Sequence, residues 1–166
     1  QSYANRFPMA ESTFSVPTLA EEIELIQGMN QSTGKNVGIY PEIKNPEFHR
    51  QAGKDISTAV VRMLGAYGYR TKQDKVFLQT FSFEEMKIIF EEILPAEGID
   101  LNLVQLIDGI SSYPWMFEQN GMDRLSAFAD GVGPNKGLVI SRDSQKTRIQ
   151  VSDLVERAHV AGMQVH

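Results

Sequence analysis

The sequence contains no cysteine, a single tryptophan and only seven prolines in 166 residues. Without thiols there can be no disulfide, no thiolate metal centre and no cysteine nucleophile. The compartment is left open by this, because periplasmic and cytosolic enzymes alike can do without cysteine. No apolar run approaches the roughly 18 residues that a membrane-spanning helix needs. Positive charge is not in excess: 16 Lys and Arg stand against 21 Asp and Glu, for a net charge of -5. The basic residues are scattered, so the stripe that a nucleic-acid binder requires is missing. No glycine-rich phosphate loop follows any apolar segment, as a dinucleotide-binding sheet would demand. No basic-then-apolar leader is seen at the first residue, Gln1. The last residues, "MQVH", read as a strand interrupted midway, so both ends are expected to be cut points.

What is present is globular in character, with 42% hydrophobic and 22% charged residues, 13 of the residues being glycine. The length suits one domain, expected to span residues 1–166, with no internal linker or repeat. The first 17 residues are polar and aperiodic. Thr18 and Glu21 then form a capping box ahead of a helix lined by Leu19, Ile23 and Ile26, which ends at Gly28 or Gly34. A strand is predicted over 37–43. Asp55 caps a helix whose apolar face is Ile56, Val60, Met63 and Leu64. "KVFLQTF" (75–81) is a second strand, and Ser82 with Glu85 opens a helix that Pro95 stops. Residues 100–107 form a third strand, followed by an aromatic loop (Tyr113, Trp115, Phe117) and a short helix around 121–129. "ADGVGP" and "GLVIS" form a fourth strand region. Ser152 caps a last helix, and Met163 to His166 begins a fifth strand.

Strands and amphipathic helices alternate, which implies a parallel sheet covered by helices. The fold class is therefore α/β. A doubly wound sheet would satisfy this order. The absence of a glycine-rich turn, and strands that become polar at their C-terminal ends, favour part of a (β/α)8 barrel with its site at that end.

The most informative stretch is "VGIYPEIK". Alternation places Val37, Ile39, Pro41 and Ile43 on one face and Gly38, Tyr40, Glu42 and Lys44 on the other. Glu42 and Lys44 side by side admit three readings: a structural ion pair, a carboxylate metal ligand with a Lys for the bound anion, or an acid/base pair. Gln79 and Gln105, near the ends of their strands, and Gln164 with His166 are expected at the same end of the sheet. His49 is read as a loop residue and His159 as structural. Trp115 serves equally well as a loop anchor or a pocket wall. The Glu-rich helix "FEEMKIIFEEI" is a solvated face with an apolar stripe, not a metal site.

The segments "RFPM", "TLAEEIELIQGMN", "STGKNVGIYPEIKNPEFHRQAGKDI", "KVFLQTF", "DLNLVQLID", "YPWMF" and "ADGVGP" together resemble bacterial glycerophosphodiester phosphodiesterases, notably the periplasmic type. The resemblance runs through nearly the whole chain. It implies a TIM-barrel hydrolase that cuts glycerophosphodiesters into glycerol 3-phosphate and an alcohol, using a divalent cation, Ca2+ or Mg2+. It also implies a periplasmic or extracellular location. By this likeness Glu42 matches the metal-binding Glu and Lys44 the active-site Lys, both catalytic. Gln79, Gln105 and His166, together with the aromatic loop of Trp115 and Phe117, are expected around the substrate. The family's H-R-G strand, its further acidic ligands and its catalytic histidines have no counterpart here. The chain is therefore expected to match a middle segment of about five βα units and to be inactive alone. Its open strand edges would favour association between copies. A non-catalytic partial-barrel binding module is the competing reading.

Overall fold

A computed structural model of the chain describes residues 15–142 and 148–166. The segment "RFPM" and most of the polar N-terminal stretch lie outside the described residues. The chain divides into two compact units, one reaching to Val37 and the other running from Gly38 to His166.

The first unit contains α1 (Leu19–Thr33), set up by the expected capping box. The Glu21 carboxylate accepts from the Thr18 amide at 2.7 Å, and the Thr18 hydroxyl accepts from the Glu21 amide at 3.3 Å. The helix passes through Gly28 and ends at Gly34, whose φ of 67° is the left-handed geometry that glycine adopts without a Cβ penalty. The Asn30 side chain then bonds both the amide and the carbonyl of Val37, each at 2.9 Å.

The second unit is built on β1 (Glu42–Ile43), β2 (Phe77–Thr80), β3 (Asn102–Ile107), β4 (Gly131–Pro134) and, at the end of the chain, a strand at Gln164–Val165. Between them come α2 (Pro46–Gln51), α3 (Ile56–Ala66), α4 (Phe83–Ile88), α5 (Leu94–Glu97) and α6 (Gly121–Leu125). After β4 follow α7 (Lys136–Val139), β5 (Ile140–Arg142), β6 (Ile149–Val151) and α8 (Leu154–Val160), which makes the last strand β7. The first strand is shorter than the predicted 37–43. Its pairing nevertheless begins earlier, with an isolated bridge from Ile39 to Val76.

Three local differences from the sequence reading have physical causes. Pro95 does not stop its helix: α4 runs through a single wide π turn, Ile89–Ile93, into α5, which ends at Gly98 with φ 62°. Proline clashes with the carbonyl four residues before it, and the widened turn immediately upstream relieves that crowding. "GLVIS" does not extend the fourth strand. It folds as α7 and then β5, which pairs antiparallel with β6 in a separate two-stranded ribbon. Finally, Asp153 rather than Ser152 occupies the N-cap of α8, although the Ser152 hydroxyl still accepts from the Leu154 amide at 3.4 Å.

The main sheet has the order β1-β2-β3-β4-β7, all parallel. Strand order thus follows chain order, with no reversal. A doubly wound sheet needs a reversal at its switch point, whereas a barrel adds each strand beside the last. The sheet is also curled. The rings of Tyr40, before β1, and His166, after β7, lie 5.2 Å apart although three strands separate β1 from β7. Strands are about 4.8 Å apart, so side chains from the two edges of a flat sheet could not meet. The fold is α/β of the TIM-barrel type, with five βα units in this chain.

Register assigns the faces. Ile43, Thr80, Gln105 and Val132 align on one face, and Glu42, Gln79, Val104 and Gly131 on the other. The first set is buried throughout, with α3 packed on β1 and α4 on β2 and β3. Beneath these helices lie Leu64, Leu78, Met86, Ile89, Leu103 and Ile107, which form the core. The second set lines the concave side.

Candidate functional site

Several hollows open among the described residues where the parallel strands end; the largest, of about 600 Å³, lies beside Pro134, Asn135, Val165 and His166, and two smaller ones reach Glu42, Lys44 and Gln79. One of these two, of about 180 Å³, is lined by Glu42, Lys44, Asn45, Glu47, Phe81 and Ser82, among others. Its neighbour, of about 280 Å³, has Tyr40, Gln79, Phe81, Asp108, Asn135 and His166 in its wall. Phe81 is common to both and is 46% exposed, which leaves a large apolar ring bare at the strand ends.

Glu42 and Lys44 are both exposed, while Ile43 between them is buried, as alternation predicts. Among the described residues no ion pair joins the two side chains, and no hydrogen bond engages either. The structural ion-pair reading therefore has no geometric support. An unengaged carboxylate and an unengaged ammonium share one small hollow. The chain turns directly after Lys44, because Asn45 takes a left-handed φ of 48° and Pro46 starts α2.

Two rings in the wall of the second hollow, Tyr40 and His166, pack together with Phe77, which does not line it. Tyr40, Phe77 and His166 form a triangle of rings with centroids 4.7 to 5.6 Å apart. Burial pushes the Tyr40 phenol up to about 12 and lowers the His166 imidazole below its ordinary 6.5. Tyr40 therefore keeps its proton at pH 7 and can donate a hydrogen bond, and burial favours the neutral form of His166. Gly131 makes room for His166, since a Cβ there would lie 3.2 Å from the imidazole ring. The "DGVGP" segment does reach the site, through Gly133, Pro134 and the following Asn135.

The remaining predicted residues separate. Gln79 lies in the hollow and donates to the Tyr40 carbonyl at 3.2 Å. Gln105 does not face it: register pairs Gln105 with Thr80 and Val132, one residue out of phase with Gln79, so it points to the helix side and is fully buried. Its placement there, rather than at the pocket, corrects the expected convergence. Trp115 and Phe117 sit on the 3-10 turn Pro114–Phe117 and line neither hollow. Trp115 packs edge-on to Phe83 at 4.9 Å and lies under the Arg124 guanidinium at 4.5 Å, the geometry of a loop anchor. Tyr40, on the face that alternation gives Glu42 and Lys44, lines the site, and so do Phe81 and Asp108, which the sequence reading does not name as site residues. Parity would have found Asp108, which continues the series Val104, Leu106 off the end of β3.

For a divalent cation, Glu42 offers a hard oxygen donor free of competing partners, which is the chemistry Ca2+ or Mg2+ takes. Among the described residues no group of three or more His, Asp or Glu comes together as a cage. A hard cation wants six or more oxygens. Glu42 fits as one ligand of such a set.

A curled parallel sheet of five strands with polar hollows at the C-terminal strand ends is the architecture of part of a (β/α)8 barrel. The sequence pattern of the Glycerophosphoryl diester phosphodiesterase family matches residues 1–166, and the chain belongs to that family. It is 43% identical over 183 aligned positions to a glycerophosphodiester phosphodiesterase of Haemophilus influenzae, covering all of this chain and 50% of that protein. A glycerophosphodiester phosphodiesterase of Treponema pallidum is 35% identical over 99% of this chain and 51% of its own length. One from Arabidopsis thaliana is 26% identical, with 47% of its length covered. The chain thus spans about half the length of the curated relatives it matches.

Proposed function

We propose that this chain contributes the Glu42–Lys44 side of the active site of a glycerophosphodiester hydrolase. The products would be glycerol 3-phosphate and an alcohol. The observation that carries the reading is the free carboxylate and free ammonium in one hollow at the C-terminal end of β1, in a chain of this family. Glu42 holds a divalent cation, Ca2+ or Mg2+, through its exposed carboxylate. The cation, when bound, supplies Lewis-acid neutralisation of phosphoryl charge. Lys44 places its ammonium against the non-bridging phosphoryl oxygens and offsets the charge that builds in the transition state, rather than taking a proton. Tyr40 and Gln79 border the neighbouring hollow and orient the rest of the substrate. Proton transfer falls to histidines that the family resemblance implies and this stretch does not supply. The likeness to the periplasmic type supports a location in the periplasm or outside the cell.

The test uses the full-length protein with glycerophosphocholine as substrate. Glu42→Gln is expected to abolish cation-dependent turnover and weaken Ca2+ binding measured by calorimetry. Lys44→Met is expected to lower kcat by about a hundredfold or more while leaving Ca2+ binding intact. Unchanged kinetics and unchanged Ca2+ affinity in the Glu42 variant would sink the proposal. The 166-residue chain alone is expected to show no turnover.

A further inference from the structure

A buried polar lattice lies directly behind the two exposed functional side chains, on the helix side of the sheet. Thr80 is 1% exposed and donates its hydroxyl to the Ile43 carbonyl at 3.0 Å. That carbonyl belongs to the residue between Glu42 and Lys44. The same hydroxyl accepts from the Ser82 amide at 3.2 Å, which ties β1 to the loop after β2. Behind Thr80 stands Gln105, with no exposed surface. Its amide nitrogen donates to the carbonyls of Thr80, Phe81 and Leu106 at 3.4, 3.0 and 2.9 Å. Its carbonyl oxygen, Oε1, is buried without a partner among the described residues.

A fully buried amide with one orphaned oxygen costs stability that an apolar residue of the same size would not. The local geometry shows what is gained. Main-chain carbonyls at the ends of β2 and β3 converge on one nitrogen, and the Phe81 carbonyl among them fixes the ring common to both hollows. Backbone groups at strand ends leave the sheet ladder and must find other partners. Here Thr80 and Gln105 provide them.

We propose that Thr80 and Gln105 are positioning residues that fix the strand ends from which Glu42, Lys44 and Phe81 project. Gln105 lines neither hollow, and Thr80 meets the Glu42–Lys44 hollow only as part of its wall, with its hydroxyl turned to the Ile43 carbonyl and the Ser82 amide. Thr80 holds the Ile43 carbonyl and so sets the direction in which the flanking side chains leave the backbone. Gln105 holds Thr80 and Phe81 in turn. Supporting residues of this kind typically matter by about ten- to hundredfold in metal affinity or activity. The activity arm of the test rests on the proposed hydrolase function; the placement arm does not.

The experiment compares full-length wild type with Thr80→Val, Thr80→Ser and Gln105→Met. It measures glycerophosphocholine kinetics, and amide hydrogen exchange over residues 42–46, in the same preparations. Thr80→Val is isosteric but lacks the hydroxyl. It is expected to lower kcat/KM by about ten- to hundredfold, mainly in kcat, and to speed exchange in that segment. Thr80→Ser keeps the oxygen and is expected to restore both. Gln105→Met fills the space without a donor and is expected to shift both in the same direction as Thr80→Val; it decides the matter if Thr80→Val does not fold. A Thr80→Val protein that melts earlier, yet keeps wild-type kcat/KM and wild-type exchange over 42–46, would overturn the proposal. If the wild type shows no turnover, the hydrolase reading falls and the exchange rates alone decide the placement.

Discussion

The ion pair behind α2 allows a stability effect to be worked from geometry. Glu85 lies at the start of α4 with its side chain 3% exposed. Its carboxylate receives a two-pronged contact from Arg50, with Nε at 3.0 Å and Nη2 at 2.6 Å, and a short hydrogen bond from the Ser57 hydroxyl. Three helices are thereby joined, since Arg50 belongs to α2 and Ser57 to the first turn of α3. Glu85→Ala removes the acceptor from both partners. Ser57 has no exposure, so its hydroxyl would lose its partner where water does not reach, at a cost of about 1–3 kcal/mol. Breaking a buried charge pair from one side costs about 3–5 kcal/mol when the remaining charge is sealed in. Arg50 is not sealed, because 36% of its side chain is exposed and can rehydrate. The two effects overlap and are not summed; we expect a loss of about 3 kcal/mol. Urea denaturation of the full-length protein, comparing midpoints at constant slope, measures it. A loss under about 1 kcal/mol would refute the reasoning, because it would mean that water already reaches this carboxylate.

Two further outcomes follow from the same contacts. Trp115→Ala should destabilise by about 2 kcal/mol through the lost Phe83 and Arg124 contacts, while KM for glycerophosphocholine stays unchanged; a raised KM at unchanged stability would make Trp115 a substrate wall after all. Asp74 accepts from the amides of Arg70 and Thr71, each at 2.8 Å, and these bonds hold its carboxyl below the ordinary 3.8. A depressed folded value contributes stability above the unfolded pKa and loses it as pH falls through the folded one. Asp74→Asn should therefore cost stability at pH 6 and cost progressively less as the pH is lowered below 3.8, read from denaturation midpoints along a pH series; a pH-independent difference would contradict the assignment.

Much of the fold was legible because its signals are local. The Thr18–Glu21 box, the Asp55 cap and the apolar faces of the strands depend on residues a few positions apart, and the backbone follows them. The same holds for Glu42 and Lys44: alternation alone put them opposite buried Ile43. Local rules failed where a neighbour in space decides. Pro95 reads as a stop, yet the π turn before it carries the helix on. Gln79 and Gln105 both lie near the ends of their strands, and no property of either strand alone shows that their registers differ by one residue. That single step sends Gln79 to the hollow and Gln105 into the core.

The sequence by itself determined a parallel α/β chain, its family, and a carboxylate and an ammonium leaving the same strand end. Only the tertiary structure decided that these two side chains share a hollow and are unpaired among the described residues, that Trp115 is held by Phe83 and Arg124, and that Tyr40 meets His166 across a curled sheet. The physical reason is that alternation and capping are set along the chain, whereas register, curvature and pairing arise when distant segments compete for the same hydrogen bonds and the same space.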